Sequence, residues 1–273
     1  MESLPPLLAT LDGYAVEGGF DVPGGIATCY SPAIGLGRVH GPGSAAALWE
    51  HYEEAIDAAS TLGLDGVRLT IEWARVEPRA DVIDEDAWRR YQAVVDRAKE
   101  KGLVVTAVIV DAVWPAWLGP EAWLLPWVRP AFDRHVARFA EHLGSRIDGV
   151  VSFAQRDALV DTGYLRGTTP PWRKRERADA QEARRSLEAM DALVQANSTL
   201  GPKVRRNWHE IPAKLPASAW PAVVAEAKRA SEVHIKSLVR GGGPTASTSG
   251  LLSFRDGAAH GEPPAALLEL WRV

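Results

Sequence analysis

The stretch Ser145-Arg-Ile-Asp-Gly-Val-Val-Ser-Phe-Ala-Gln-Arg-Asp157 reads as a short apolar strand that empties into a polar cluster. Val150, Val151 and Phe153 supply the β-branched and aromatic content of a buried strand, and Gln155, Arg156 and Asp157 stand at its carboxyl end. In a barrel of alternating strands and helices, that end carries the chemistry.

Outward from this stretch, strand and helix patterns alternate. Leu11 to Gly18 reads as a first strand, and Phe20 to Gly43 as a long loop rich in Gly and Pro. Ser44 is placed to cap a helix through Ser60, with Leu48, Tyr52, Ala55, Ile56 and Ala59 at helical spacing. Val67 to Trp73 is the second strand. A strongly patterned helix follows from Asp84, its cap, to Lys101, with Trp88, Tyr91, Val94, Val95 and Ala98 on one face. Leu103 to Val110 is apolar at nearly every position, as expected for a strand covered on both faces.

Helices are expected over Arg129 to Leu143 and Arg177 to Asn197. Val204 to Ile211, Glu232 to Val239 and Gly250 to Phe254 read as later strands, with helices over Ala217 to Ala230 and Pro264 to Trp271. The pattern predicts an α/β fold, a (β/α)8 TIM-barrel-like architecture that is shortened or incomplete, with seven strands placed and an eighth not found. A single domain over residues 1–273 is expected.

Composition narrows the partners. The net charge is -4, from 31 basic and 35 acidic residues, and gives no reason to expect nucleic acid or an anionic membrane. The sequence contains no run of about 20 apolar residues. Cys29 is the single cysteine and has no disulfide partner within the chain, which suits a cytoplasmic location. The seven histidines and Cys29 show no metal-ligand spacing, and no Gly-x-Ser-x-Gly elbow occurs, so no metal, cofactor or serine nucleophile is expected. The basic run Trp172 to Arg177, at the start of a helix, reads as a solvated loop with an anion or partner contact as the second reading, and Arg240 to Gly250 as a flexible connector.

Several ordered motifs resemble family 1 glycoside hydrolases of the β-glucosidase type. Asp12-Gly-Tyr-Ala-Val-Glu-Gly-Gly-Phe20 is similar to that family's first-strand Ser-Tyr-Gln-Ile-Glu-Gly, and Val67-Arg-Leu-Thr-Ile-Glu-Trp-Ala-Arg-Val-Glu-Pro78 to its Arg-Phe-Ser-Ile-Ser-Trp-Ser-Arg-Ile-x-Pro. Val104 to Leu118, ending Trp-Pro-Ala-Trp-Leu, resembles the third strand and its exit. Where the family carries Thr-Phe-Asn-Glu-Pro, whose Glu is the general acid/base, this chain has Ser152-Phe-Ala-Gln-Arg156. The resemblance therefore puts Gln155 in place of the acid, Ala15 in place of a glycone-binding Gln, and Asp111-Ala112 in place of His-Trp. The nucleophile motif Ile-Thr-Glu-Asn-Gly has no match in Val204 to Val273. A retaining glycosidase needs two carboxyl groups across the scissile bond.

The expected function is that of a family 1-like protein lacking both catalytic carboxylates, which binds a small sugar-like or aromatic ligand in the barrel mouth. Arg75, matched by the resemblance to a pocket arginine, is a candidate ligand contact, with Gln155, Trp73, Trp114, Trp117, Asn207 and Glu210; a salt bridge to a structural acid is the alternative for Arg75. Two other readings stay open. One is an enzyme with a remodelled site, of new chemistry or residual glycosidase activity, that uses Asp111, Glu17 or His209 as acid and base; the other is a scaffold or interaction subunit. Asp111 follows an apolar strand, where an unpaired buried carboxylate is costly. His209 is equally a structural histidine. Oligomeric state is not legible in the sequence.

Overall fold

The computed structural model describes residues 8–205, which form one compact unit. Four strands, β1 (Leu8–Leu11), β2 (Gly66–Thr70), β3 (Val104–Val110) and β4 (Gly149–Phe153), pair in parallel in the order β1-β2-β3-β4. Four long helices alternate with them: α1 (Leu48–Thr61), α2 (Glu85–Glu100), α3 (Val128–Leu143) and α4 (Arg177–Ala196). The fold is α/β of the TIM-barrel type, and the described residues supply four βα units of it. The later strands and helices expected beyond Arg205, and with them Asn207, His209 and Glu210, lie outside the described residues.

Strand alternation sorts the two faces of the sheet. Val67 and Leu69 of β2 and Ile71 just after it, with Val105, Ala107 and Ile109 of β3, join the helices in the main core, against Ile56 of α1, Trp88 and Val95 of α2 and Phe139 of α3. The other face carries a small separate apolar cluster of Val108, Val151 and Ala154. Arg68 and Thr70 share that second face by parity, since Thr70 pairs in register with Val108 and Arg68 with Thr106.

Helix α2 follows its sequence signals. The Asp84 side chain accepts the Ala87 amide at 2.8 Å, Glu85 and Asp86 sit in the positive first turn, and Arg97 and Lys99 in the last. Three boundaries differ from the sequence reading. The first strand ends at Leu11, and Gly13–Val16 forms a helical turn in which Ala15 and Val16 donate to the Asp12 carbonyl at 3.0 Å. The turn brings the Tyr14 amide to the Glu72 carboxyl group, 2.8 Å away, which an extended strand would not do.

Ser44 does not cap α1. Ala45 and Ala47 hold left-handed φ values of 49° and 52°, which breaks helical continuity, so α1 begins at Leu48. The second strand stops at Thr70, and Trp73–Val76 is again a helical turn, because the Glu72 carbonyl is taken by the Arg75 and Val76 amides.

His135 of α3 is 1% exposed and stacks on Trp73, with ring centroids 4.5 Å apart and planes 9° from parallel. Burial, and secondarily the charge of Arg138, pushes this imidazole down to about 3. A base held neutral in the folded state contributes stability that is complete above the unfolded pKa of about 6.5 and is lost as pH falls towards 3. His135→Phe should therefore remove a slope of up to about 1.4 kcal/mol per pH unit across that window, measured by urea unfolding at a series of pH values.

Candidate functional site at the carboxyl end of the sheet

The strand exits deliver the polar groups. Asp12 follows β1, Glu72 follows β2, Asp111 follows β3 and Gln155 follows β4. The Trp73–Val76 turn adds Arg75, and the Gly13–Val16 turn places Glu17 opposite it.

Arg75 is 5% exposed and donates from Nε to Glu17 Oε2 at 2.6 Å and from Nη2 to the Gly18 carbonyl at 2.6 Å. Its guanidinium lies 4.3 Å from the Phe20 ring centroid and 4.0 Å from that of Trp49, where the π faces favour a cation. From α2, the Tyr91 hydroxyl donates to Glu17 Oε1 at 2.8 Å and accepts the Glu72 amide at 3.1 Å. A Cβ on Gly13 would stand 2.4 Å from Glu72 Cγ and 3.0 Å from Glu17 Oε1, so the turn has room only for glycine.

One guanidinium thus faces two buried carboxyl groups. Burial raises both, and Arg75 opposes the rise at Glu17. Glu72 is held well above the usual carboxylate range by burial and then by repulsion from Glu17. Arg75 and Tyr91 bond the Glu17 oxygens, while the Tyr14 amide bonds Glu72 Oε1.

A second acid sits one strand further. Asp111 is 6% exposed, shares a side-chain hydrogen bond with Asp12 and accepts the Gln155 amide Nε2 at 3.4 Å. Its carboxyl is pushed up to about 7, first by burial and then by the Asp12 charge, with Arg68 and Gln155 pulling the other way. Two carboxyl groups sharing a hydrogen bond retain a proton near neutral pH, because both cannot ionise side by side without cost. Arg68 Nη2 and Thr70 Oγ1, on the same face of β2, are buried without a hydrogen-bond partner.

The residues expected at the site divide. Asp111 and Gln155 come together. Glu17 and Arg75 form the buried salt bridge, the alternative reading for Arg75, and are engaged with each other. Trp73 and Trp114 are each 1% exposed, and their ring nitrogens donate to Glu77 Oε2 at 2.9 Å and the Gly119 carbonyl at 2.9 Å. The structure places both rings in the core, because each packs against other aromatic side chains, Trp73 on His135 and Trp114 on Trp123. Trp117 is half-buried, edge-on to Trp73, with its Nε1 on the Glu77 carbonyl at 2.8 Å.

Sequence reasoning passed over Asp12, Arg68, Thr70, Glu72 and Tyr91. The available signal was parity: Arg68 and Thr70 interrupt the alternating Val67, Leu69 and Ile71 on the face away from the helices. Glu72 and Tyr91 gave no such signal, because their partners lie far along the chain. A cavity of about 380 Å³ opens beside the cluster, between Trp49, Glu50, Asp84 and Arg90, and only Arg75 of the expected residues lines it. The described residues include no group of three or more His, Cys, Asp or Glu that could hold a metal ion. None of the described helices is long and apolar enough to cross a membrane.

Strands leading into helices, with acids and amides collected at their carboxyl ends, match a known sequence family. Residues 28–235 fit the profile of glycosyl hydrolase family 1. The chain belongs to that family. Family 1 relatives include a β-glucosidase of Agrobacterium sp., 27% identical over 214 residues, which cover 76% of this chain and 46% of that protein. Another, from Oryza sativa subsp. japonica, is described as "Probable inactive beta-glucosidase 14" and is 26% identical over 129 residues, 46% of this chain and 25% of that one.

Among solved structures, the β-glycosidase from Pyrococcus horikoshii superposes with a TM-score of 0.66 at 22% identity, covering 73% of this chain and 45% of its own. A family 1 β-glucosidase from Thermotoga maritima gives 0.64 at 20% identity, covering 69% and 44%. The family 1 chain thus spans about half the length of these two structures and of the Agrobacterium enzyme. Arg68, Asp111 and Gln155 lie within the matched residues, and Asp12 and Glu17 precede them.

Two measurements follow from this geometry. Arg75→Ala leaves Glu17 buried without its counter-charge and removes the stacking on Trp49 and Phe20. A loss of about 3–5 kcal/mol is expected in urea unfolding, larger than for Glu17→Gln. For Asp111, an acid raised in the folded state contributes stability that is complete below about 4 and is lost as pH rises through about 7. Asp111→Asn should therefore gain stability relative to the parent as pH rises from about 4 to 7. A double plot with His135→Phe separates the two groups, because their slopes have opposite sign.

Proposed function

We propose that this family 1 chain does not hydrolyse glycosides and instead binds a small sugar-like or aromatic molecule at the carboxyl end of its strands. The observation that carries this reading is the exit of β4. There the resemblance calls for a general acid, and the chain presents Gln155, an amide 3.4 Å from Asp111. An amide neither protonates a leaving oxygen nor activates water as a carboxylate does. The rice relative whose description calls it probably inactive supports the same reading. The partner is a small molecule, not nucleic acid or membrane. The location is the cytoplasm, where the single, buried Cys29 would persist as a thiol.

A specific observation favours a second reading. A carboxyl group at about 7 suits proton transfer at neutral pH, and Asp111 is such a group. In that reading the chain is an enzyme with remodelled chemistry centred on Asp111.

Purified protein is expected to release no 4-nitrophenol from 4-nitrophenyl β-glucoside above the buffer rate. Saccharides or aryl glycosides should raise the melting temperature, since a ligand at 100 times its Kd adds about 2.7 kcal/mol to a folded state that alone binds it. Turnover that disappears in Asp111→Asn would replace the binding reading with the enzymatic one. Turnover that survives it would overturn both.

A further inference from the structure

The cavity of about 380 Å³ has a wall of its own, to which Asp12, Asp111 and Gln155 do not contribute. It opens where the loop after β1, the Trp73–Val76 turn and the first turns of α1 and α2 meet. Glu50, Arg75, Asp84 and Arg90 give it polar side chains, and Trp49 and Ile26 give it apolar ones. Asp86 also lines it and is paired with Arg89.

Both guanidinium groups reach the cavity with part of their donor set unused. Arg75 is 5% exposed, its Nε and Nη2 are taken by Glu17 and the Gly18 carbonyl, and its central carbon sits over the rings of Phe20 and Trp49. The edge left open is Nη1, which has no hydrogen-bond partner among the described residues and is not among the enclosed, unpaired atoms. Arg90 commits Nε and Nη2 to the carbonyls of Trp49 and Glu50, and its Nη1 is likewise unengaged among the described residues. The two guanidinium carbons lie 4.0 Å and 6.0 Å from the Trp49 ring centroid, so both donors stand beside the same ring. Acceptors face them. Asp84 caps α2 through Oδ1 and keeps Oδ2 free, and the Glu50 carboxylate is unpaired, among the described residues.

This lining selects a ligand by elimination. An apolar occupant would shut Arg75 Nη1 away from water without a partner, which is costly. A simple anion would meet the Glu50, Asp84 and Asp86 carboxylates. A simple cation would meet two guanidinium groups, one of them held in place by Glu17. A hydroxyl donates one proton and accepts through two lone pairs, so a hydroxyl set between a guanidinium and a carboxylate satisfies both. Two donors and two acceptors beside one aromatic ring suit adjacent hydroxyls on a small ring. The volume falls at the lower end for small-molecule sites, roughly 300–1,000 Å³.

We propose that this cavity is a second binding site, separate from the strand exits, for a neutral polyhydroxylated molecule of monosaccharide size. Arg75 Nη1 and Arg90 Nη1 donate to its hydroxyl oxygens, Glu50 and Asp84 accept its hydroxyl protons, and Trp49 lies at its side. The site goes beyond the reading of the strand exits and does not depend on it. Arg75 joins the two regions, because the guanidinium that bonds Glu17 turns its remaining edge to the cavity.

The test is an NMR titration of the isotope-labelled full chain with D-glucose and, separately, myo-inositol. It follows the Trp49 indole N–H resonance, identified by its loss in Trp49→Phe. At least one of the two polyols is expected to shift that resonance to saturation. Glu50→Ala and Asp84→Ser should each weaken binding at least about fivefold, through loss of a hydrogen bond to a charged group. Both variants preserve the fold's own contacts, since the Glu50 side chain is exposed and serine still caps α2. Sodium acetate and methylammonium chloride should bind more weakly than the polyol.

A Trp49 resonance that neither polyol moves, an affinity unchanged in both variants, or tighter binding of acetate or methylammonium would each overturn the proposal. Glucose that raises the melting temperature equally in the parent, Glu50→Ala and Asp84→Ser, with a silent Trp49 resonance, would place the sugar at the strand exits. That result sinks this inference and leaves the reading of the strand exits standing.

Discussion

The Glu17–Arg75 pair is the constraint on which the rest of this half of the sheet depends. A carboxylate 2% exposed and a guanidinium 5% exposed must meet each other, because neither has water to solvate it. Meeting requires the chain after β1 to turn back towards the exit of β2, which accounts for the Gly13–Val16 turn and the glycine that opens it. It also fixes the start of α1, whose Trp49 closes one side of the guanidinium, and the α2 tyrosine that bonds the Glu17 carboxyl group and the Glu72 backbone amide. Residues 58 apart in sequence are thereby tied at the mouth.

That tie leaves the mouth rich in acid. Burial is the first cause that raises both Glu72 and Asp111, and it is opposed by Arg75 at Glu72 and by Arg68 at Asp111. A retaining glycosidase requires one carboxyl group as acid and another as nucleophile, facing each other across a sugar. Here the β4 exit offers an amide, and the neighbouring carboxyls bind one another.

Within residues 8–205 the order of strands and helices was readable because each element satisfies its own local rules. α2 shows this most fully, with Asp84 as cap and an apolar face that the structure buries. The boundaries after β1 and β2 were not readable. Asp12-Gly-Tyr-Ala-Val and Ile71-Glu-Trp carry strand-like composition, and only the remote Glu72–Tyr14 and Tyr91–Glu72 hydrogen bonds convert them into turns. The tryptophans misled for a similar reason: a ring beside a strand exit is equally suited to a pocket wall or a core, and packing partners decide which.

The sequence by itself determined the α/β alternation, the family resemblance and the amide at residue 155, because these depend on residue identity and spacing along the chain. Tertiary structure alone decided that Arg75 belongs to Glu17, that Trp73 and Trp114 are core, and that Asp12 joins Asp111. Charge pairing and desolvation act through space between strands that the chain visits far apart. Which carboxyl keeps a proton is fixed only when the burial and neighbours of each are fixed together.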